Sequence, residues 1–216
     1  MHGHVDDAAE SRMRVLEGKR AAGNASPMDM VELALLYWEP YHEEETAVAT
    51  LRELLAREPR NNLAKLWIAY IYVYYYFMLG VSLDDAKEIL SEIISSGERA
   101  FLGAAKVVLY GALRDFDRSE KTRPARTTCL EESIAMEPGW VNNHHYLAGE
   151  YFEAGRYSEA LDEVRNALAN VAESCTADLL QLSFETYITG RFLHGVRANS
   201  LVPMEEKILR LCPALR

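Results

Sequence analysis

The sequence predicts an all-α fold, an array of antiparallel helical hairpins, and three observations carry that prediction. Apolar residues recur at intervals of three and four over most of the chain, which places them on one face of successive helices. Glycine or proline interrupts these stretches, at Gly80, Gly97 and Gly155 and at the pairs Glu58-Pro59 and Glu137-Pro138. Alanines return at a near-constant interval: thirty-nine residues from Ala47 to Ala86, thirty-nine from Ala86 to Ala125 and thirty-five from Ala125 to Ala160. Such a period marks two-helix repeats that bury their faces only against neighbours.

Residues 1–25 are polar and form an N-terminal arm or a loose helix. Ala8, Ala9, Met13 and Leu16 share a side, and Gly23-Asn24-Ala25 breaks the pattern. The helical repeat domain occupies residues 26–216. Ser26-Pro27-Met28-Asp29 is a helix start, with a capping serine, proline at the first helical position and an acid facing the dipole. That helix runs to Glu39, where Pro40 stops or kinks it. Its partner spans 43–57, with Ala47, Leu51, Leu54 and Leu55 inward. The next helix, 61–79, is long and aromatic and ends at Gly80.

Ser82 then caps a helix carrying Ala86, Ile89, Leu90, Ile93 and Ile94. Residues 101–113 set Leu102, Ala105, Leu109, Ala112 and Leu113 in a stripe, with Gly103 and Gly111 as close-packing positions. Residues 114–123, RDFDRSEKTR, are the most charged stretch and read as a long solvated loop before a helix over 124–136. Beyond Cys175, residues 176–189 read as a further first helix, whose partner is disturbed by Gly190 and Gly195. Pro203 starts a terminal helix with Met204, Ile208 and Leu211 on one face. So apolar an end must bury itself, either folded back on the last hairpin as a cap or paired with a second copy as a homodimer.

Residues 140–172, WVNNHHYLAGEYFEAGRYSEALDEVRNALANVA, hold the pattern most cleanly. Leu147, Ala148 and Tyr151 share one face of a first helix, Gly155 ends it, and Ala160, Val164, Ala167 and Leu168 stripe the second. Small Ala148 and Ala160 allow two backbones to approach. This resembles the tetratricopeptide repeat (TPR): Leu-Gly/Ala-x-x-Tyr, then Ala, an aromatic or aliphatic residue, Ala and often Pro. Ala47 and Pro59 stand at the second-helix Ala and closing Pro of the same pattern, and the resemblance covers residues 27–190. It implies a right-handed, TPR-like α-solenoid of about four or five hairpins. It also implies that the first helices line a concave groove that receives a peptide or helix of another protein.

On that implication the candidate binding residues are Tyr70, Tyr74, Asn142 and His145. Trp67, Tyr70, Tyr74 and Met78 follow spacings of three and four, and either register of their helix, with Ala69 or Val73 at the small position, turns Tyr70 and Tyr74 inward. Tyrosine offers a large rigid surface and a hydroxyl at low entropic cost. The competing role for these rings is to fill the core between hairpins. Asn142 and His145 take the corresponding inner positions of the clean repeat. TPRs that clamp a terminal carboxylate carry Lys and Asn where this repeat has His145 and Gly149, so that subtype is not reproduced.

Other chemistries find little support. Lys+Arg number 23 against 33 Asp+Glu, a net charge of -10, which disfavours nucleic acid and anionic membrane surfaces as partners. The uncharged run 66–81 is shorter than the about 20 residues a spanning helix needs. It also holds Tyr70, Tyr72, Tyr74, Tyr75 and Tyr76, so it reads as a buried helix. Cys129, Cys175 and Cys212 form neither a CxxC nor an even framework, which fits a reducing, cytoplasmic setting. The N-terminus has no apolar signal core. No P-loop, GxGxxG, HExxH or GxSxG is present, so no cofactor and no catalytic residue is assigned. His2 and His4 at a polar end do not make a metal site. Glu39 and His42 make a single Glu-x-x-His, whereas a di-iron bundle needs two plus two further glutamates, so no metal is assigned either. His144 and His145 lie about 100° apart on a helix, so one faces solvent and the other the inner face.

The expected function is therefore a non-enzymatic interaction module, an adaptor, chaperone or regulator. The alternatives are an enzyme or accessory subunit with a polar pocket in the groove, and a self-assembling structural protein.

Overall fold

The computed structural model describes residues 7–38, 41–116, 118–174 and 198–215, and all regular structure among them is helical. The chain divides into two compact units, Met1–Ile93 and Ile94–Arg216. None of the described helices is long and apolar enough to cross a membrane. The expected helix over 176–189 lies outside the described residues, as do His2, His4, Glu39, Cys175, Gly190, Gly195 and the side chain of Met78.

The first unit holds α1 (Asp7–Ala21), α2 (Pro27–Trp38), α3 (Glu44–Arg57), α4 (Asn62–Leu79) and α5 (Leu83–Ser96), whose last turn crosses the division. Ser26 caps α2 as expected: its Oγ accepts the Asp29 N–H at 3.1 Å, while Asp29 accepts the Ser26 N–H at 2.9 Å. This reciprocal box satisfies donors that a helix start leaves free. Ser82 and Asp85 repeat it at α5. The loose N-terminal helix is α1, tied down mainly by polar contacts. Arg12 pairs with Glu32 at 2.5 Å, Lys19 with Asp29 at 2.7 Å and Arg20 with Glu53 at 2.5 Å, and the Tyr37 hydroxyl donates to Glu17 at 2.7 Å. Leu16 fixes it to the core and is fully buried.

The second unit holds α6 (Arg99–Phe116), α7 (Arg123–Met136), α8 (Val141–Glu153), α9 (Tyr157–Ser174), α10 (Ala198–Leu211) and a 3-10 turn, Pro213–Leu215. The helices α6 and α7 form one hairpin, α8 and α9 another, and α10 packs along α9. Leu147, Ala148, Tyr151, Ala160, Val164 and Ala167 are all buried in its core, as their spacing requires. Gly155, with φ of 75°, ends α8: its N–H bonds the Phe152 carbonyl and the Arg156 N–H bonds that of Tyr151. The paired bonds are the Schellman closure that glycine adopts without strain. Gly103 marks a close approach, since a β-carbon there would sit 3.0 Å from Glu137 Cγ. Ser133 takes advantage of that approach, donating to the Gly103 carbonyl at 2.9 Å while accepting from Asn143 Nδ2 at 2.9 Å.

The two Glu-Pro closures are equivalent in backbone conformation. Glu58 has φ -131° and ψ 77°, Glu137 has φ -132° and ψ 70°, and each N–H bonds a carbonyl four residues back at 2.8 Å. The residue before proline is pushed out of the helical region, so the same dipeptide ends both helices in the same way.

Four expectations need correction. Ala125 is exposed, and the fully buried residue beside it is Arg126. Arg126 stands thirty-four residues before Ala160 and twelve before Pro138, as Ala47 stands twelve before Pro59. The loop expected over 114–123 is shorter than that, because α6 continues to Phe116 and α7 begins at Arg123, leaving the bend and turn over 118–122. The terminal helix begins at Ala198 with Pro203 inside it. Its buried residues are Leu201 and Ile208, with Met204 half-buried, whereas Leu211 is 53% exposed. Of the two fates weighed for this segment, the fold-back onto the last hairpin is the one observed within the chain.

Ala148 and Ala160 are both fully buried where α8 meets α9. Ala148→Leu is expected to cost about 1–3 kcal/mol by overpacking that contact, measured as a lower midpoint in a denaturant titration.

Candidate functional site

In the first unit the residues of α4 form a ladder of rings that climbs from core to water. Asn61 starts the helix by accepting the Ala64 N–H at 3.0 Å. Trp38 and Trp67 are each 1% exposed, with ring centroids 5.8 Å apart. Tyr70 meets both edge-on, at 5.6 and 5.7 Å. Tyr74 stacks on Tyr70 at 4.5 Å and is 37% exposed. Trp67 fills core, Tyr74 reaches solvent, and Tyr70 joins the two. Beyond Tyr74 the helix bends, because Tyr75 leaves helical conformation with φ -130° and ψ 19° and sets its ring edge-on to Trp38.

In the second unit the organising feature is a buried ion pair. Arg126 Nε and Nη2 donate to the two carboxylate oxygens of Glu150, at 3.0 and 2.8 Å. Its Nη1 donates to the Ser119 carbonyl at 3.0 Å and to Thr122 Oγ1 at 2.7 Å. Arg126 is fully buried and Glu150 is 5% exposed. A charged pair survives burial only when its remaining hydrogen-bonding groups are satisfied, and the turn before α7 supplies those bonds.

Beside this pair, the end of α6, Arg118 and α8 enclose a pocket of about 160 Å³ lined by Tyr110, Arg114, Arg118, His145, Tyr146, Gly149, Glu150 and Glu153. Arg114 reaches the Tyr110 hydroxyl at 3.4 Å and lies over the Tyr146 ring at 5.7 Å. Tyr110 and Tyr146 face each other at 5.4 Å. Burial raises the pKa of both phenols above the ordinary tyrosine value, so both are neutral donors. Burial and the nearby Arg114 charge lower the pKa of His145, and its Nδ1 is buried with no partner among the described residues.

His144 points the other way. It is 4% exposed, with Nδ1 2.6 Å from Glu163 and Nε2 2.8 Å from the Pro138 carbonyl. Neither histidine is the solvent-facing one expected: the first is locked to α9 and the second lines the pocket. Burial alone would lower the His144 pKa, but the bond to Glu163 and the Pro138 carbonyl outweigh it and raise the value. Two acceptors on one ring require the imidazolium form.

Of the four residues singled out from sequence, Tyr70 and Tyr74 come together in the first unit, while Asn142 and His145 sit on α8 in the second. Asn142 is 3% exposed, whereas Tyr74 is 37% exposed and His145 lines the pocket. Tyr110, Arg114, Tyr146 and the Arg126–Glu150 pair were not anticipated. The twelve-residue spacing from Arg126 to Pro138 was the signal that could have found the pair. His42 has φ 56° in the turn after α2, off the helix that a Glu-x-x-His pair would need. Cys129 is buried, which pushes its thiol up to about 11 and leaves it unreactive.

Arg126→Met strands the Glu150 charge and is expected to cost about 3–5 kcal/mol, with most of that recovered when Glu150→Leu is added. Denaturant titration of the single and double variants decides this. The raised His144 pKa gives a second expectation. Its stabilisation is complete below the unfolded value of about 6.5 and is lost as pH rises through the folded value. Stability measured between acid and mildly alkaline pH should therefore fall across that window in the wild type and stay flatter in His144→Gln; parallel profiles would refute the assignment.

Two solved structures share the fold. A double mutant of MamA RS-1 matches with a TM-score of 0.55 at 11% identity, over 79% of this chain and 98% of that one. MamA AMB-1 matches with a TM-score of 0.52 at 16% identity, over 76% and 97%. The sequence matches no family model and no curated protein. At these identities the likeness is one of architecture, and it shows that this chain has a TPR-like helical-repeat fold.

Proposed function

We propose that the protein is a non-catalytic interaction module, an adaptor, chaperone or regulator that offers first-helix surfaces to a peptide or helix of another protein. The observation that carries this reading is the Tyr70–Tyr74 stack. An exposed ring backed by a half-buried one, itself set against two buried tryptophans, is a rigid recognition surface already paid for in conformational entropy. The repeat architecture supports the same reading, because stacked hairpins present extended surfaces to partners. The pocket beside His145 is the feature that an enzymatic reading would use. Its chemistry favours binding instead: Glu150, the carboxylate that could serve as a base, is held bidentately by Arg126, and neutral phenols and a guanidinium supply donors without a nucleophile.

The test is Tyr74→Ser, which removes exposed area and should shift stability by no more than about 0.5 kcal/mol. Affinity capture from an extract of the protein's own cells, read by mass spectrometry, should lose its specific partner with this variant. Capture that is identical for both proteins would overturn the reading. Tyr70→Ser is a less clean probe, since its ring packs on Trp38 and Trp67.

A further inference from the structure

The pocket between α6 and α8 is lined by a guanidinium, Arg114, that pairs with no carboxylate among the described residues. Each neighbouring arginine has a carboxylate. Arg118 pairs with Glu153, Arg123 with Glu120, and Arg126 with Glu150. Arg123 also stands 3.7 Å from both Glu150 and Glu153. Arg114 is different: among the described residues it bonds the Tyr110 hydroxyl at 3.4 Å and meets the Tyr146 ring face, with no carboxylate in reach. Asp115, next in sequence, is exposed and acts on it only through space. Around that guanidinium stand the hydroxyl of Tyr110, whose own proton is free to donate, and the imidazole of His145 with its unmatched, buried Nδ1. A partly desolvated planar fork of N–H groups is strongly favoured by a bidentate acceptor of opposite charge.

We propose that this pocket receives the carboxylate of a single aspartate or glutamate side chain from a partner protein segment, with Arg114 as the charge partner and Tyr110 and His145 as flanking hydrogen-bonding groups. The claim deepens the interaction-module reading and rests on it. A monoanion is selected over a dianion such as a phosphate. Among the described lining residues Arg114 is the cation without a paired carboxylate, while Glu150 and Glu153, already held by Arg126 and Arg118, also line the pocket and repel a second negative charge. The volume of about 160 Å³ suits one side chain rather than a folded element. The protein's net charge of -10 opposes acidic partners at long range, so the selectivity resides in this local geometry and persists at physiological salt, where distant charges are screened.

The experiment titrates the full chain with three peptides, acetyl-Gly-Glu-Gly-amide, its isosteric Gln counterpart and its phosphoserine counterpart, following histidine Cε1–H resonances by NMR. The His145 signal should move saturably with the Glu peptide, with an apparent affinity at least about tenfold higher than for the Gln peptide, as one charge-assisted hydrogen bond predicts. Arg114→Gln should abolish that difference. In the same spectra the His144 signal, fixed between Glu163 and Pro138, reports whether the variant is still folded. Equal responses to Glu and Gln, a stronger response to phosphoserine, or an Arg114→Gln variant that is folded and still discriminates would each overturn the carboxylate site. If those results accompany Tyr74-dependent partner capture, only this site fails. If capture fails as well, the interaction-module reading falls with it.

Discussion

The guanidinium of Arg126 is the constraint on which the second unit depends. It occupies a position where the repeat pattern calls for a small apolar residue, and it is fully buried there. Leaving such a charge unmatched in a core would cost more than the unit could bear, so its surroundings are fixed by what it must reach. Its two bonds to Glu150 set the position of α8 against α7, and its bonds to Ser119 and Thr122 fold the connection from α6. A hydrophobic contact would tolerate sliding; a planar fork against a carboxylate does not.

The same pair shapes the chemistry beside it. Because Arg126 claims both oxygens of Glu150, and Arg118 engages Glu153, neither acid is available to Arg114. Among the described residues, Arg114 thereby stands without a paired carboxylate in a defined place. The first unit reaches a contact surface by different means, with aromatic rings stacked outward from a tryptophan pair and no charge involved. The two surfaces therefore differ in chemistry: one offers flat apolar area, the other a cation among phenols.

Much of the fold could be read from the sequence because it rests on local signals. Gly155, the Ser26 box and the two Glu-Pro closures each act through a few neighbouring backbone groups, and each ends or begins a helix where expected. Spacing of apolar residues likewise placed Leu147, Ala148 and Ala160 in the core. What could not be read was long-range pairing. Nothing near Arg126 in sequence announces that its partner lies twenty-four residues away, and an arginine beside an alanine is assigned to solvent by default. At the ends of the stretch 114–123 the same limit applies, although 118–122 is the solvated turn expected. Its arginines look solvated when counted with adjacent acids, yet Arg114 is drawn inward by tyrosines on α6 itself and on α8. Periodicity brings Tyr70 and Tyr74 together on one face of their helix, whereas the gradation of burial between them depends on Trp38, from another helix.

The polar attachment of α1 has a consequence for how the first unit comes apart. One fully buried leucine contributes on the order of 1.5–3 kcal/mol, and the ion pairs Arg12–Glu32, Lys19–Asp29 and Arg20–Glu53 lie at least partly in water, where such pairs contribute little and weaken with salt. The helix therefore opens on its own at a free energy well below that of the aromatic core, as a separate cooperative segment. Ionic strength sets the fraction of molecules in which it is detached, so the face of α2 beneath it is a surface whose exposure is graded by salt rather than fixed by the fold.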